Sequence, residues 1–236
     1  VNRFNRNGDG INSLTAKNLV DYFVHKPTNI EHKKNKVVGH IVNAAFTDME
    51  NEKILNTEKL EKKLDPFYIS LAAVIYKTVN PEFADLLLRA SDPTDLDYHK
   101  ISASWELGFN DYSIAIGSQN LNEAEIITDP HQIKEFEKYL RAFDGSGVLD
   151  DGTPVYRLVA GEVFPLGIGF TTKPAADVQG VTTKEALELE TEETEALSSL
   201  PEFKKIKNNI LKISQNEEIN VKNDNSFKTM DTKELT

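Results

Sequence analysis

The chain has 236 residues, a formal net charge of −11 and 39% hydrophobic residues. This length suffices for one buried core, and the acidic balance argues against direct binding of nucleic acid, because phosphate binding requires clustered Lys and Arg. The absence of cysteine excludes disulfide frameworks, thiol catalysis and cysteine-bound zinc, and no apolar run has the length that a membrane span needs.

The first stretch predicts a turn followed by a helix. Because the chain enters at Val1 on a loop-like sequence, we expect the amino terminus to be incomplete. The segment 5–12 has the Asx spacing and the glycine of a calcium loop. The twelfth position of such a loop, counted from Asn5, is Ala16 instead of a carboxylate, so we expect no metal site. Ser13 or Thr15 is the expected cap of the helix that follows.

The next segment, 26–46, predicts a hairpin with a polar turn around residues 34–36. His32 is expected to close its first strand, and His40 falls in its second. From residue 48 to residue 89 the apolar spacing becomes helical, which predicts three helices over about 54–64, 67–76 and 83–87.

Residues 101–109 alternate apolar with small or polar side chains, which is the period of a half-buried strand. Ser102, Ser104 and Glu106 therefore share one face. Further along, Asp129 and the following proline predict a helix over residues 130–140. A later strand region ends in Gly167-x-Gly169, which favours close strand approach rather than nucleotide binding, because no βαβ unit surrounds it.

Composition changes at residue 182. We expect residues 1–181 to form one domain and residues 182–236 to form an acidic tail with one amphipathic helix and a disordered end.

Four blocks of the sequence resemble the prohead (capsid maturation) proteases of tailed phages, which are related in fold to the herpesvirus assemblins. The blocks are Asn5-x-Asn7-Gly8-Asp9, then Lys26-Pro27-x-Asn29-x-Glu31-His32 with Val38-Gly39, then Ser104-Trp105-Glu106 with Asp111-Tyr112, and finally Arg157–Ala175. Together they cover residues 5 to about 181. The resemblance and the strand pattern imply an α+β fold, with a mainly antiparallel, β-barrel-like core surrounded by helices.

The resemblance implies a serine protease with Ser104 as nucleophile and His32 as general base. Physically, a serine hydroxyl must lose its proton as it attacks a carbonyl, and a neutral imidazole accepts a proton near pH 7. Two side chains on neighbouring strands meet this need, because cross-strand Cβ atoms lie about 5 Å apart. Ser102 remains an alternative nucleophile, since it lies on the same strand face.

The third catalytic residue has two candidates by resemblance. Glu162 is preferred because the family places a carboxylate in that strand, where it would hold the imidazole tautomer. His40 is the alternative, because assemblins use a second histidine. Glu106 would orient a side chain or serve only in packing and hydrogen bonding.

The expected function is therefore cleavage of phage scaffold and capsid proteins, and of the chain itself, during head maturation in the host cytoplasm, inside an assembling procapsid. No cofactor or metal, no nucleic acid and no membrane is expected to take part, and the likeness to assemblins suggests a homodimer. The tail would hold the enzyme to the scaffold until it is removed. The alternative is a non-catalytic scaffold or capsid-associated protein with the same fold.

Overall fold

The computed structural model describes residues 1–49, 54–176, 178 and 180–183. These residues form an α+β fold around one seven-stranded mixed sheet. The strands are β1 (Asp9–Gly10), β2 (Pro27–Ile30), β3 (Val37–Thr47), β4 (Tyr68–Ile75), β5 (Ser102–Ile116), β6 (Glu125–Ile127) and β7 (Val155–Thr171). The α-helices are α1 (Ser13–Leu19), α2 (Pro81–Ser91) and α3 (Pro130–Phe136).

The sheet has the order β4-β3-β2-β7-β5-β6, and β1 pairs with β7. Both β1 and β2 run parallel to β7, whereas the other pairs are antiparallel. The α+β class is thus confirmed, but the expected barrel-like core is corrected to a mixed sheet that does not close. Residues 102–113 of β5 pair with β7 alone among the described strands. A groove of about 640 Å³ lies between this part of β5, the start of β4 and the opening segment 1–11.

Helices predicted after the opening loop, over 83–87 and over 130–140 are present as α1, α2 and α3. Each begins at an Asn or Asp whose side chain accepts a backbone N–H, as expected for an N-cap. For α1 the cap is Asn12, which accepts from the N–H of Thr15 at 2.8 Å, so the prediction of Ser13 or Thr15 as the cap is wrong.

The helix predicted over 67–76 is wrong, because this segment is the strand β4. Its eight residues pair along their length with β3. A short apolar run does not distinguish a buried strand from a buried helix, and here pairing with β3 decides the outcome. The helix predicted over 54–64 is reduced to a 3₁₀ helix at Thr57–Lys62.

The main core lies on one face of the sheet, against α1, α2 and the 3₁₀ helices Val20–Phe23 and Thr57–Lys62. Trp105 of β5 packs on it beside Ile168 and Phe170 of β7, the first only partly buried and the other two buried. Because side chains alternate along a strand, Ser104 and Glu106 lie on the opposite face of β5. The core thus fixes the strands and leaves that face open.

Residues 184–236, which hold nearly all of the predicted tail, lie outside the described part of the chain. In the part that is described, no helix combines the length and apolar character needed to traverse a bilayer.

Candidate active site

The turn after β2 determines where His32 lies. The strand ends at Ile30, and both Glu31 and His32 adopt left-handed backbone angles, with φ of 52° and 56°. The carboxylate of Glu31 anchors this turn to the end of β7, because it accepts hydrogen bonds from the Thr171 hydroxyl at 3.1 Å and the Thr172 N–H at 3.2 Å. His32 therefore lies in a strained turn folded over β7 instead of closing the strand as predicted. Such strain is typical of functional sites.

The imidazole of His32 lies directly on the backbone of Gly169. A Cβ at this glycine would be 2.7 Å from Nδ1 and 2.8 Å from Cε1 of the ring. Ordinary contacts between such atoms are about 3.5–4.0 Å. Gly169 thus leaves room for an imidazole. The sequence predicted only that Gly167-x-Gly169 allows strands to approach closely, whereas here the glycine accommodates a side chain.

Ser104 is the direct cross-strand partner of Gly169. Partners opposite each other in an antiparallel pair present their side chains on the same face, with Cβ positions about 5 Å apart. A Cβ at Gly169 would lie about 5 Å from the Ser104 Cβ and 2.7 Å from Nδ1 of His32. The Ser104 Cβ is therefore within about 8 Å of the imidazole. The Ser104 side chain is half-buried, and its hydroxyl has no hydrogen-bond partner among the described residues.

Glu106 binds the imidazole. Its Oε1 lies 2.9 Å from Nδ1 of His32 and also accepts from Nδ2 of Asn29 at 2.7 Å. Asn29, in β2, is 3% exposed, so a buried amide fixes the carboxylate. Burial raises the pKa of Glu106, but the hydrogen bonds from Asn29 and His32, with the charges of His32 and Lys34, lower it by more, so the pKa lies below its usual range.

This pairing selects a tautomer of the imidazole. An ionised carboxylate only accepts hydrogen bonds, so Nδ1 of His32 carries the proton toward Glu106 and Nε2 keeps its lone pair in the neutral ring. Nε2 has no hydrogen-bond partner in the described part of the chain. The pair therefore matches the base and orienting carboxylate of a serine protease triad, in which the second nitrogen takes the nucleophile's proton.

The alternative nucleophile, Ser102, is less well placed than Ser104. It lies opposite Thr171, two residues along β5 from the pair formed by Ser104 and Gly169, and it is further from Glu106. Its side chain is only 4% exposed. Ser104 thus lies nearer the imidazole and is more open to a substrate.

Glu162 does not reach the imidazole. It is exposed, and its contacts are with Asn110: its N–H donates to Oδ1 at 2.9 Å, and its Oε2 lies 3.5 Å from Nδ2. It lies seven positions from Gly169 on β7, which corresponds to about 23 Å along a strand. The carboxylate that contacts His32 is therefore that of Glu106 and not, as predicted, that of Glu162.

His40, the other candidate third residue, also lies apart. Its Nδ1 is 2.8 Å from the Tyr76 hydroxyl, and its strand partners are Pro27 and Val74. No described hydrogen bond joins it to His32 or Glu106.

The opening loop uses its polar groups internally. Asn5 Oδ1 accepts from the N–H groups of Asn7 and Asp9, and the Asp9 carboxylate is 2.7 Å from Nε of Arg157. Within the described residues no group of three or more His, Cys, Asp or Glu is arranged to hold a metal ion.

Sequence reasoning gave no role to Asn29 or Glu31, and it left Glu106 between orienting a side chain and serving only in packing and hydrogen bonding. All three stand in the motif blocks quoted above, with Asn29 and Glu31 three and one positions before His32 and Glu106 two positions after Ser104. The spacing of two in Ser104-x-Glu106 was the available signal, because it places both side chains on one face. The anchoring contacts of Glu31 depend on strand order, which the local sequence does not encode.

Comparison with known proteins gives no relative: no family model matches the chain, and neither a curated protein nor a solved structure matches it.

Proposed function

We propose that the protein is a serine endopeptidase with Ser104 as nucleophile, His32 as general base and Glu106 as the orienting carboxylate. One observation carries the proposal. The imidazole of His32 lies on Gly169, which is the cross-strand partner of Ser104. Nδ1 of this imidazole is bound to the carboxylate of Glu106, which also accepts a hydrogen bond from the buried amide of Asn29.

The chemistry follows from this placement. The Ser104 hydroxyl turns toward Nε2 of His32 and transfers its proton there as Oγ attacks the carbonyl carbon of a peptide bond. Glu106 stabilises the imidazolium that forms. The imidazolium then protonates the leaving amine, and a water molecule, deprotonated by the same imidazole, hydrolyses the acyl-enzyme ester. The hydroxyl and Nε2 need not be in contact before substrate binds, because catalytic hydrogen bonds often shorten only in the complex.

The substrate class comes from the resemblance to phage prohead proteases. The two central blocks of that resemblance supply the residues of the site described above. These residues are Asn29, Glu31, His32, Ser104 and Glu106. Their arrangement supports the proposal that this chain cleaves the same class of substrate. On this proposal the substrates are phage scaffold and capsid proteins and the chain itself. The reaction takes place inside an assembling procapsid in the host cytoplasm.

The test is cleavage of a co-expressed phage scaffold protein and of the chain itself, read by mass spectrometry. Ser104→Ala is expected to abolish cleavage while circular dichroism and thermal unfolding stay those of the wild type. Ser102→Ala is the matched control, because it removes a hydroxyl from the same face two residues away, and it should still cut. If Ser102→Ala is inactive and Ser104→Ala active, the nucleophile is Ser102. Equal behaviour of wild type and Ser104→Ala would favour the non-catalytic structural protein.

A further inference from the structure

Three exposed hydrophobic side chains form an apolar patch beside the candidate active site. Tyr22, Phe164 and Leu166 are 58%, 49% and 53% exposed. The rings of Tyr22 and Phe164 meet edge to face, with centroids 6.3 Å apart. Apolar side chains clustered at the surface, rather than scattered singly, typically mark a contact site.

Two of the three side chains, Phe164 and Leu166, lie on the same sheet face as the proposed catalytic residues, and Tyr22 joins them through its ring contact with Phe164. Gly108 follows Glu106 by two positions on β5, so both are on the face that carries Ser104. Phe164 is the strand partner of Gly108, and the methyl groups of Leu166 lie 3.8 and 3.9 Å from the position of a Cβ at Gly108. The face therefore runs from the nucleophile, past the carboxylate and imidazole, to the patch.

The distance along this face can be counted in residues. Gly108 is four positions from Ser104, which corresponds to about 13 Å along a strand. An extended peptide has nearly the same rise per residue, so a side chain over the patch belongs to a residue three to five positions from the bond held at Ser104.

The size of the patch favours a substrate side chain over a second copy of the chain. An aromatic side chain offers about 200 Å² when fully exposed, so three half-exposed side chains offer about 300 Å². A stable protein interface needs about 800 Å² from each partner. One bulky apolar side chain fits an area of this kind.

We infer that the patch of Tyr22, Phe164 and Leu166 is a specificity subsite, which selects an extended polypeptide with a large apolar side chain three to five residues from the scissile bond. This inference rests on the proposed peptidase function. It adds a substrate requirement that the catalytic residues do not set.

The experiment uses a peptide library made by digesting a bacterial proteome, with cleavage sites identified by mass spectrometry. Wild type is expected to enrich Leu, Ile, Met or Phe about tenfold over Ser at one position three to five residues from the bond, which is the discrimination that a small apolar pocket provides. Leu166→Ser and Phe164→Ser should each lower that enrichment several-fold. Leu96→Ser is the matched control, because Leu96 is 92% exposed and outside the patch, and it should keep the wild-type preference.

The outcomes separate the two proposals. Ser104-dependent cleavage without apolar enrichment at that distance overturns the subsite and leaves the peptidase intact. The same holds if both patch variants keep the wild-type preference. No cleavage by folded wild type, or equal cleavage by Ser104→Ala, overturns the peptidase and the subsite together.

Discussion

Gly169→Ala tests whether the position of the His32 imidazole, the proposed general base, depends on its contact with the backbone of Gly169. The new Cβ would lie 2.7 Å from Nδ1 of His32, and the closest ordinary contact is about 3.5 Å, so the ring must retreat by about 0.8 Å. Gly169 has no positive φ, and alanine therefore strains no backbone angle there. The His32 side chain is 41% exposed and is free to swing outward, so we expect a stability change below about 1 kcal/mol.

The effect on catalysis should be much larger. Displacing a catalytic group by about 1 Å costs about 100-fold in rate, and the retreating ring also loses its hydrogen bond to Glu106. We therefore expect the rate of Ser104-dependent cleavage to fall about 100-fold while the unfolding temperature stays nearly constant.

Two measurements are made on purified protein: the rate of cleavage and the NMR signal of the His32 Cε1–H. Gly108→Ala is the control for the NMR signal, because its Cβ would meet Leu166 at an ordinary 3.8 Å. The His32 signal should move in Gly169→Ala and stay in place in Gly108→Ala. Wild-type cleavage and an unmoved signal in Gly169→Ala would refute the placement of the ring.

Three further predictions follow from the same contacts. Because the pKa of Glu106 is lowered in the folded protein, its carboxylate stabilises the fold above the unfolded pKa, and this contribution is lost as pH falls through the folded pKa. In urea unfolding, wild type should therefore be more stable than Glu106→Gln at pH 7, and the difference should shrink as pH falls below the unfolded pKa of about 4.3 and disappear below the lowered folded pKa; a constant difference would contradict the shift. His32→Gly should be more stable than His32→Ala by about 1 kcal/mol in thermal or urea unfolding, because φ of 56° suits glycine; equal stabilities would argue against the left-handed turn. Thr171→Val removes a hydroxyl that donates to Glu31 and accepts from the N–H of Lys173, so it should cost about 2 kcal/mol and slow cleavage, whereas Thr172→Val keeps its backbone donor and should do neither. Equal losses in the two threonine variants would show that the anchor is not specific.

The strand that carries the candidate nucleophile was predictable, since its alternation is local. The period of two over 101–109 gives both the strand β5 and the shared face of Ser104 and Glu106. In the same way, α2 and α3 follow from a capping Asn or Asp directly before a proline. These features depend on neighbours in sequence.

The features that the sequence did not predict depend on contacts between residues that are distant in the chain. Segment 67–76 carries an apolar run that suits a helix or a strand, and its pairing with β3 decides for β4. Glu162 was preferred to Glu106 because resemblance gave a carboxylate in the closing strand, whereas pairing places Glu106 opposite Gly167, two positions from Gly169. The left-handed turn at His32 also follows from long-range contacts, since Glu31 is held by residues of β7.

The most direct test of the central claim is labelling with a fluorophosphonate, which forms a stable adduct only with a hydroxyl that a neighbouring base activates. Peptide mapping by mass spectrometry should find the adduct on Ser104 in wild type, none in His32→Ala and a strongly slowed reaction in Glu106→Gln. An adduct on Ser102, or a folded wild type that remains unlabelled, would contradict the assignment of Ser104, His32 and Glu106 as the catalytic residues.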